Sequence, residues 1–358
     1  MGSFVKLKGK NGKLSVGDRY PIRVNCNIGA NNIRQLQYEQ ERIVSIRNSE
    51  VWPDCFMDLS IGQYEQPLYR LLQTEFGCPV GVVPSYQFKS HERITNDKAI
   101  DLLNRLAEEG VSFFTLHLTA SRELYQLAKE TRSIPVTSRG GAIVLQQMLA
   151  AGQDENIWKR NLEQIISIAK AYDIAISLGT TFRPAGICDA RDEVHVRETK
   201  EQLRLCKLLQ AEGVQVMVEN VGHISMDQIE QHSNLLRAFN APIMPLGPIP
   251  TDNAVGEDHI ASAIGAAFMG YKGCAHIINC VTRSEHTKSF FTIEETLEAI
   301  KTAKLAAHII DVSKGIGVEK DTIIYKERAK RKSCVAAEQD CERCSKFCPT
   351  KMNMNNGQ

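Results

Sequence analysis

Residues 96–118, NDKAIDLLNRLAEEGVSFFTLHL, hold one full helix-to-strand step, and that step decides the fold. The first fifteen residues carry leucines and alanines at helical spacing and end in Gly110, the residue type that most readily takes the left-handed conformation closing a helix. SFFTLHL follows, apolar on both faces, as expected of a parallel strand covered by helices. The same step recurs along the chain. RETKEQLRLCKLLQAEG ends in Gly213 and leads into VQVMVE.

Strand candidates are 22–28, 55–61, 80–86, 112–118, 134–138, 174–179, 214–219, 242–247 and 275–281. Repeated strand–helix units of this length predict right-handed crossovers. Eight such units close into an α/β (β/α)8 TIM-type barrel, so one of the nine strand candidates is accessory or misread. The expected organisation is an N-terminal extension at 1–21, a barrel at 22–316 and a C-terminal tail at 317–358. Within it, 291–315 reads as a long helix, 321–333 turns basic, and the closing MNMNNGQ reads as mobile unless a metal cluster orders it.

Composition excludes more than it assigns. Apolar residues make up 43% and charged residues 24%, ordinary for a globular protein. A net charge of +1 advertises neither nucleic acid nor an acidic membrane. No apolar run reaches the ~18 residues of a membrane span. MGSFVKLKGKNGK lacks the apolar core of a signal peptide, and the rest of the chain offers no support for myristoylation at its Met-Gly start, so a cytoplasmic location is expected. Of eleven cysteines, eight are scattered without scaffold spacing, which suits a reducing, anaerobic cytoplasm.

In a barrel the chemistry sits at the C-terminal ends of strands. Polar residues there are Asn25, Asn27, Met57-Asp58, Tyr86-Gln87, His117, Ser138-Arg139-Gly140-Gly141, Arg183, Glu219, His223 and Asp252. SRGG ahead of a helix can cradle a phosphate with backbone N–H groups, or be a tight turn with a solvated arginine. His223 and His286, each just past a strand, can share a divalent metal or be ordinary loop histidines. Asp258-His259 reads as a helix-capping pair, with a supporting role at a metal as the alternative. Cys188 reads as a buried structural cysteine, with a functional role in the RPAGICDA loop as the alternative.

Cys341, Cys344 and Cys348 form C-x-x-C-x-x-x-C. No helix or strand buries three such thiols on one face, whereas thiolates suit an iron–sulfur cluster or a zinc knot completed by a His or Cys334.

Ten ordered segments, VNCNIG, FMDLSIG, VPSYQ, TLHL, TSRGG, SLGTTFRPAGICDA, VMVENVGH, LGPIPTDNAVGEDHIASAIGAA, CVTRSEH and AAHIIDVSKG, resemble the radical S-adenosylmethionine enzymes that rearrange 5-aminoimidazole ribotide. That family has a thiamin pyrimidine synthase branch (ThiC) and an anaerobic 5-hydroxybenzimidazole synthase branch. The resemblance implies ribotide binding by Asn27, Met57, Tyr86, His117, Ser138, Arg139, Gly140, Arg183 and Glu219, with Glu219, Tyr86 and His117 moving protons. It implies a second metal, zinc or iron, on His223 and His286, and a [4Fe–4S] cluster on Cys341, Cys344 and Cys348 that binds S-adenosylmethionine. It also implies an electron donor such as flavodoxin or ferredoxin, and a homodimer or a pairing with a paralogue.

The chain departs from the thiamin branch at five positions. Thr180-Thr181 stand for Asp-Gly, Asn220-Val221 for Gly-Pro, and Met244 for Tyr, and the Cys triad is one residue shorter. Loss of an acid and a phenol would alter hydrogen bonding to the ring, so the expected product is 5-hydroxybenzimidazole, with the thiamin pyrimidine phosphate as the alternative. A metal-dependent aldolase-type barrel with a zinc tail and a non-catalytic ribotide-binding protein are the rivals from other classes.

Overall fold

The computed structural model describes residues 4–88, 94–335 and 341–351. The MNMNNGQ end lies outside them. Ten strands occur in order: β1 (Phe4–Gly9), β2 (Gly12–Gly17), β3 (Arg23–Ile28), β4 (Cys55–Asp58), β5 (Val80–Val82), β6 (Phe113–Leu116), β7 (Ala175–Leu178), β8 (Val216–His223), β9 (Ile243–Ile249) and β10 (Ile277–Asn279). The first two pair as an antiparallel hairpin. The other eight form one parallel sheet in the order β10-β3-β4-β5-β6-β7-β8-β9. Its two outer strands are joined by the His276 amide donating to the Ile243 carbonyl at 2.8 Å and the Asn279 carboxamide donating to the Pro245 carbonyl at 3.1 Å. The architecture is a (β/α)8 barrel.

Residues 134–138 are the misread strand. Pro135 has no N–H for a ladder, Ile134 is exposed, and the segment is an irregular lead into the helix Arg139–Ala150. Gly110 and Gly213 both lie at φ +79°, as helix stops should. The long helix runs over Ile293–Ser313.

Inward-facing residues set what the barrel can hold. Near the N-terminal ends Cys55, Phe113, Ala175 and Ile277 meet Val5, Leu7 and Val16 of the hairpin in one buried cluster. The hairpin β1–β2 is therefore a plug: the Ser112 hydroxyl donates to the Lys8 carbonyl, and Arg23 Nε donates to the Ser15 carbonyl at 3.1 Å. Gly81 is obligatory in this layer, because a Cβ there would collide with the Phe113 ring. One layer up the interior turns polar, with Asn25, Thr115, Ser177, Glu219 and Asn279 all buried.

The chain divides into two compact units, residues 1–310 and 311–358. The second contains the helix Val318–Arg331, exposed along its length, and short 3-10 turns at Ser345–Phe347 and Pro349–Lys351.

Candidate active site

Glu219 lies on the inner face of β8, a buried acid that points into the barrel. Its Oε1 accepts from the Thr115 hydroxyl at 2.6 Å and the Ser177 hydroxyl at 2.8 Å, donors from the two preceding barrel strands. Burial raises its pKa, against the pull of those hydrogen bonds and of Arg183. A carboxylate displaced upward in a barrel mouth is a candidate for moving protons.

His117, just past β6, is buried, and burial together with the Arg183 charge lowers its pKa to about 3. The ring is therefore neutral at neutral pH. Its Nε2 lies 2.7 Å from the Ser138 hydroxyl, while its Nδ1 is buried with no partner among the described residues. Ser138 also caps the helix Arg139–Ala150, accepting from the Gly141 amide at 3.2 Å. The two glycines that follow are required by close approach. A Cβ on Gly140 would enter the His117 ring, and one on Gly141 would lie 2.6 Å from Thr181 Cγ2. SRGG is thus a helix N-terminus pressed against the site, where backbone N–H groups favour an anion.

Tyr86 is buried, which raises its pKa, and the Arg139 guanidinium stands over its ring at 5.3 Å. The Arg183 charge acts on Tyr86, His117 and Glu219 alike. Met57 packs in the barrel interior with Met217 and Met244. The Asn27 Oδ1 accepts from the Asn25 carboxamide at 2.8 Å, and that group also donates to Asn279 Oδ1 at 2.7 Å. Beside Asn27 and Arg139 opens a cavity of about 370 Å³, into which Arg42 and Lys288 also face. The ribotide-binding positions implied by resemblance therefore gather at one end of one barrel.

His223 and His286 come together as well, their ring centroids 5.1 Å apart. Each ring is oriented through Nδ1 by a carboxylate: His223 by Asp252 at 2.7 Å, His286 by Asp258 at 2.8 Å. This is how proteins aim the opposite nitrogen, Nε2, at a metal. Asp258 accordingly does not cap its helix. The cap position is Glu257, whose side chain makes no capping hydrogen bond among the described residues, and the Asp258 carboxylate is given to His286. Among the described residues no three His, Cys, Asp or Glu side chains stand together as a complete metal site. Two imidazoles fit a divalent ion whose remaining ligands come from water or substrate.

Cys341, Cys344 and Cys348 are free thiols in the second unit. Cys348 lies 3.1 Å from the Thr350 hydroxyl, whose own proton goes to the Lys332 carbonyl at 2.7 Å. Three thiols in eight residues are a donor set that fits an iron–sulfur cluster. Cys334 is exposed, and so is Cys188, contrary to its reading as a buried structural residue: it protrudes from the loop after β7 and its thiol meets Asp189.

Two expectations change on inspection. Thr180 faces away from the barrel interior: its hydroxyl donates to Glu198 of the helix Glu193–Ala211 at 2.6 Å. Glu198 also accepts from Thr119 and from the amides of Thr181 and Phe182. It organises the loop that carries Arg183 and has no motif that would mark it in the sequence. Asp58 is structural too, accepting from the amides of Ser60 and Tyr69 at 2.9 Å each. Thr115 and Ser177 were legible only as alternate residues of their strands.

The comparisons with known proteins agree. The profile described as the Radical SAM ThiC family matches residues 4–333. A phosphomethylpyrimidine synthase of Carboxydothermus hydrogenoformans is 31% identical, with 96% of this chain and 86% of that protein covered. Those of Thermotoga petrophila and Geobacter metallireducens are 35% and 33% identical, covering 84% and 97% of this chain and 72% and 86% of theirs. By profile, by relatives and by the fold that carries both, the chain belongs to the radical SAM ThiC family.

Proposed function

We propose that this chain rearranges 5-aminoimidazole ribotide to the hydroxymethylpyrimidine phosphate of thiamine biosynthesis. The carrying observation is the convergence of Tyr86, His117, Ser138, Arg183 and Glu219 at one barrel mouth in a chain whose relatives are named phosphomethylpyrimidine synthases. The 5-hydroxybenzimidazole product expected from the departures has weaker support, because Thr180 bonds Glu198 and takes no part in the polar interior. Met244 remains the departure nearest the chemistry, paired in register with Glu219.

In this reading the amides at the start of the helix Arg139–Ala150 and the Arg183 guanidinium receive the phosphate. Neutral His117 donates or accepts one hydrogen bond at the imidazole without adding charge. Glu219 takes and returns protons, and Tyr86, held as a phenol, orients the ring. Cys341, Cys344 and Cys348 would hold the [4Fe–4S] cluster implied by family membership, which when bound supplies the electron that cleaves S-adenosylmethionine. A donor such as flavodoxin or ferredoxin would reduce it. His223 and His286 would hold the second metal through Nε2.

A homodimer has its own support. Ile260 and Ile264 on the helix Asp258–Tyr271, and Leu305 and Ile309 on the helix Ile293–Ser313, are 48–61% exposed, and the two helices pack on each other through alanines. Sedimentation as a dimer that Leu305→Glu dissociates would check this. A monomeric parent chain would exclude it.

Product analysis decides the reaction. Anaerobically reconstituted protein is given 5-aminoimidazole ribotide, S-adenosylmethionine and a reductant, and the products are read by mass spectrometry. Hydroxymethylpyrimidine phosphate is the expected result. 5-Hydroxybenzimidazole would transfer the enzyme to the other branch, and ribotide binding without cleavage of S-adenosylmethionine would make it a binding protein.

A further inference from the structure

Behind β8, between Glu219 and His223, lies a buried polar web that none of the roles above uses. Its hub is the Asn220 carboxamide. The Oδ1 accepts from the Val221 amide at 2.7 Å, from His232 Nε2 at 3.0 Å and from His195 Nε2 at 3.4 Å. The Nδ2 donates to Gln202 Oε1 at 2.8 Å and to the Thr199 hydroxyl at 3.2 Å.

Only one amide orientation satisfies these contacts. The Thr199 hydroxyl gives its proton to the His195 carbonyl, so its oxygen must accept from Asn220. His195 Nδ1 accepts from the Arg191 amide, so its proton is on Nε2, facing Asn220. Burial keeps both rings neutral, with pKa values lowered to about 4 for His195 and about 2 for His232.

The web is anchored at both flanks of the site. Gln202 Nε2 donates to the Glu219 carbonyl at 2.8 Å. The Asp192 carboxylate caps His195 through its amide and pairs with Arg132, whose Nη1 donates to the Phe182 carbonyl, next to Arg183, at 2.6 Å.

The backbone that this web holds is unusual. Val221, β-branched and buried, sits at φ +82°, and Gly222 follows at φ +126°. The strand pairing breaks its register between Val221 and His223. A valine does not take that conformation unaided. The step directs Glu219 into the barrel and His223 to the rim, beside Asp252 and His286.

We propose that Asn220 is a positioning residue: its carboxamide holds the Val221–Gly222 step and so fixes Glu219 and His223 relative to each other. The proposal rests on the functional reading above for what those two residues do. It is tested on the full-length chain with Asn220→Ala, using Co(II) uptake by visible absorbance, ribotide affinity by calorimetry and amide exchange of residues 216–224. Ile165→Ala, a buried change in the outer helix layer, serves as the control for general destabilisation.

The expected result is exchange at Val221–His223 faster by tenfold or more, with Co(II) bound roughly 10–100-fold more weakly, while the control keeps its affinity. Parent-like Co(II) affinity in Asn220→Ala overturns the proposal, as does an equal loss in the control. If the parent chain takes up no Co(II), the metal reading of the histidines fails separately. Asn220 is then judged on ribotide: tenfold weaker binding upholds the positioning role and unchanged binding overturns it. A parent that binds neither probe refutes the functional reading and the proposal with it.

Discussion

At the scale of single residues, Glu219 carries the sharpest expectation. Burial raises its pKa, which moves ionisation of the proposed base toward higher pH. Turnover should therefore climb with pH along an acid limb displaced to higher pH. Glu219→Gln should lower kcat by roughly 10²–10⁴-fold and erase that limb; an unaltered pH profile in the variant would remove Glu219 from the base role. Residues of this kind were legible in the sequence because a polar group at the end of a parallel strand has few structural reasons to be there. Glu198, Gln202 and Asn220 were not legible. They sit in an amphipathic helix pattern or mid-strand, and only the third dimension shows that Glu198 gathers four donors or that Asn220 gathers five partners. The Thr180 reading failed for the same reason, since a sequence position near a substrate loop does not say which side of the loop a hydroxyl takes.

At the scale of elements, the helix Glu193–Ala211 and the strand β8 share a buried polar seam that responds to acid. His195 and His232, with His117 across the barrel, have pKa values of about 4, 2 and 3 in the folded chain, against 6.5 when exposed. The unfolded chain therefore binds more protons below pH 6.5, and stability must fall as the pH drops through that window. Each histidine contributes on the order of 2 kcal/mol of loss by pH 5. Calorimetry should find a lower Tm at pH 5 than at pH 7.5 and proton uptake on unfolding; a flat Tm would show that these rings are solvated. Elements themselves were well read from the sequence wherever a glycine stop followed a periodic helix, as at Gly110 and Gly213. The error at 134–138 came from treating a short β-branched run as a strand although Pro135 denies it a ladder bond.

At the scale of the whole molecule, the division into two units makes a separable prediction. Deleting residues 317–358 should leave the barrel's cooperative melting transition in place, because its core is complete within residues 1–310. The same deletion should abolish cleavage of S-adenosylmethionine by removing Cys341, Cys344 and Cys348. Cleavage by the truncated chain would place the cluster elsewhere, and loss of the transition would show that the tail is part of the fold. The barrel was legible from the repeat of strand and helix; the role of residues 4–17 was not, because a hairpin that stoppers a barrel has no signature beyond its own alternation. That stopper makes the barrel a vessel with a closed floor. With the proposed chemistry at the opposite end, reactant and product would share one doorway. A turnover number that declines with solvent viscosity would show that departure through it limits the rate, whereas a viscosity-independent one would show that it does not.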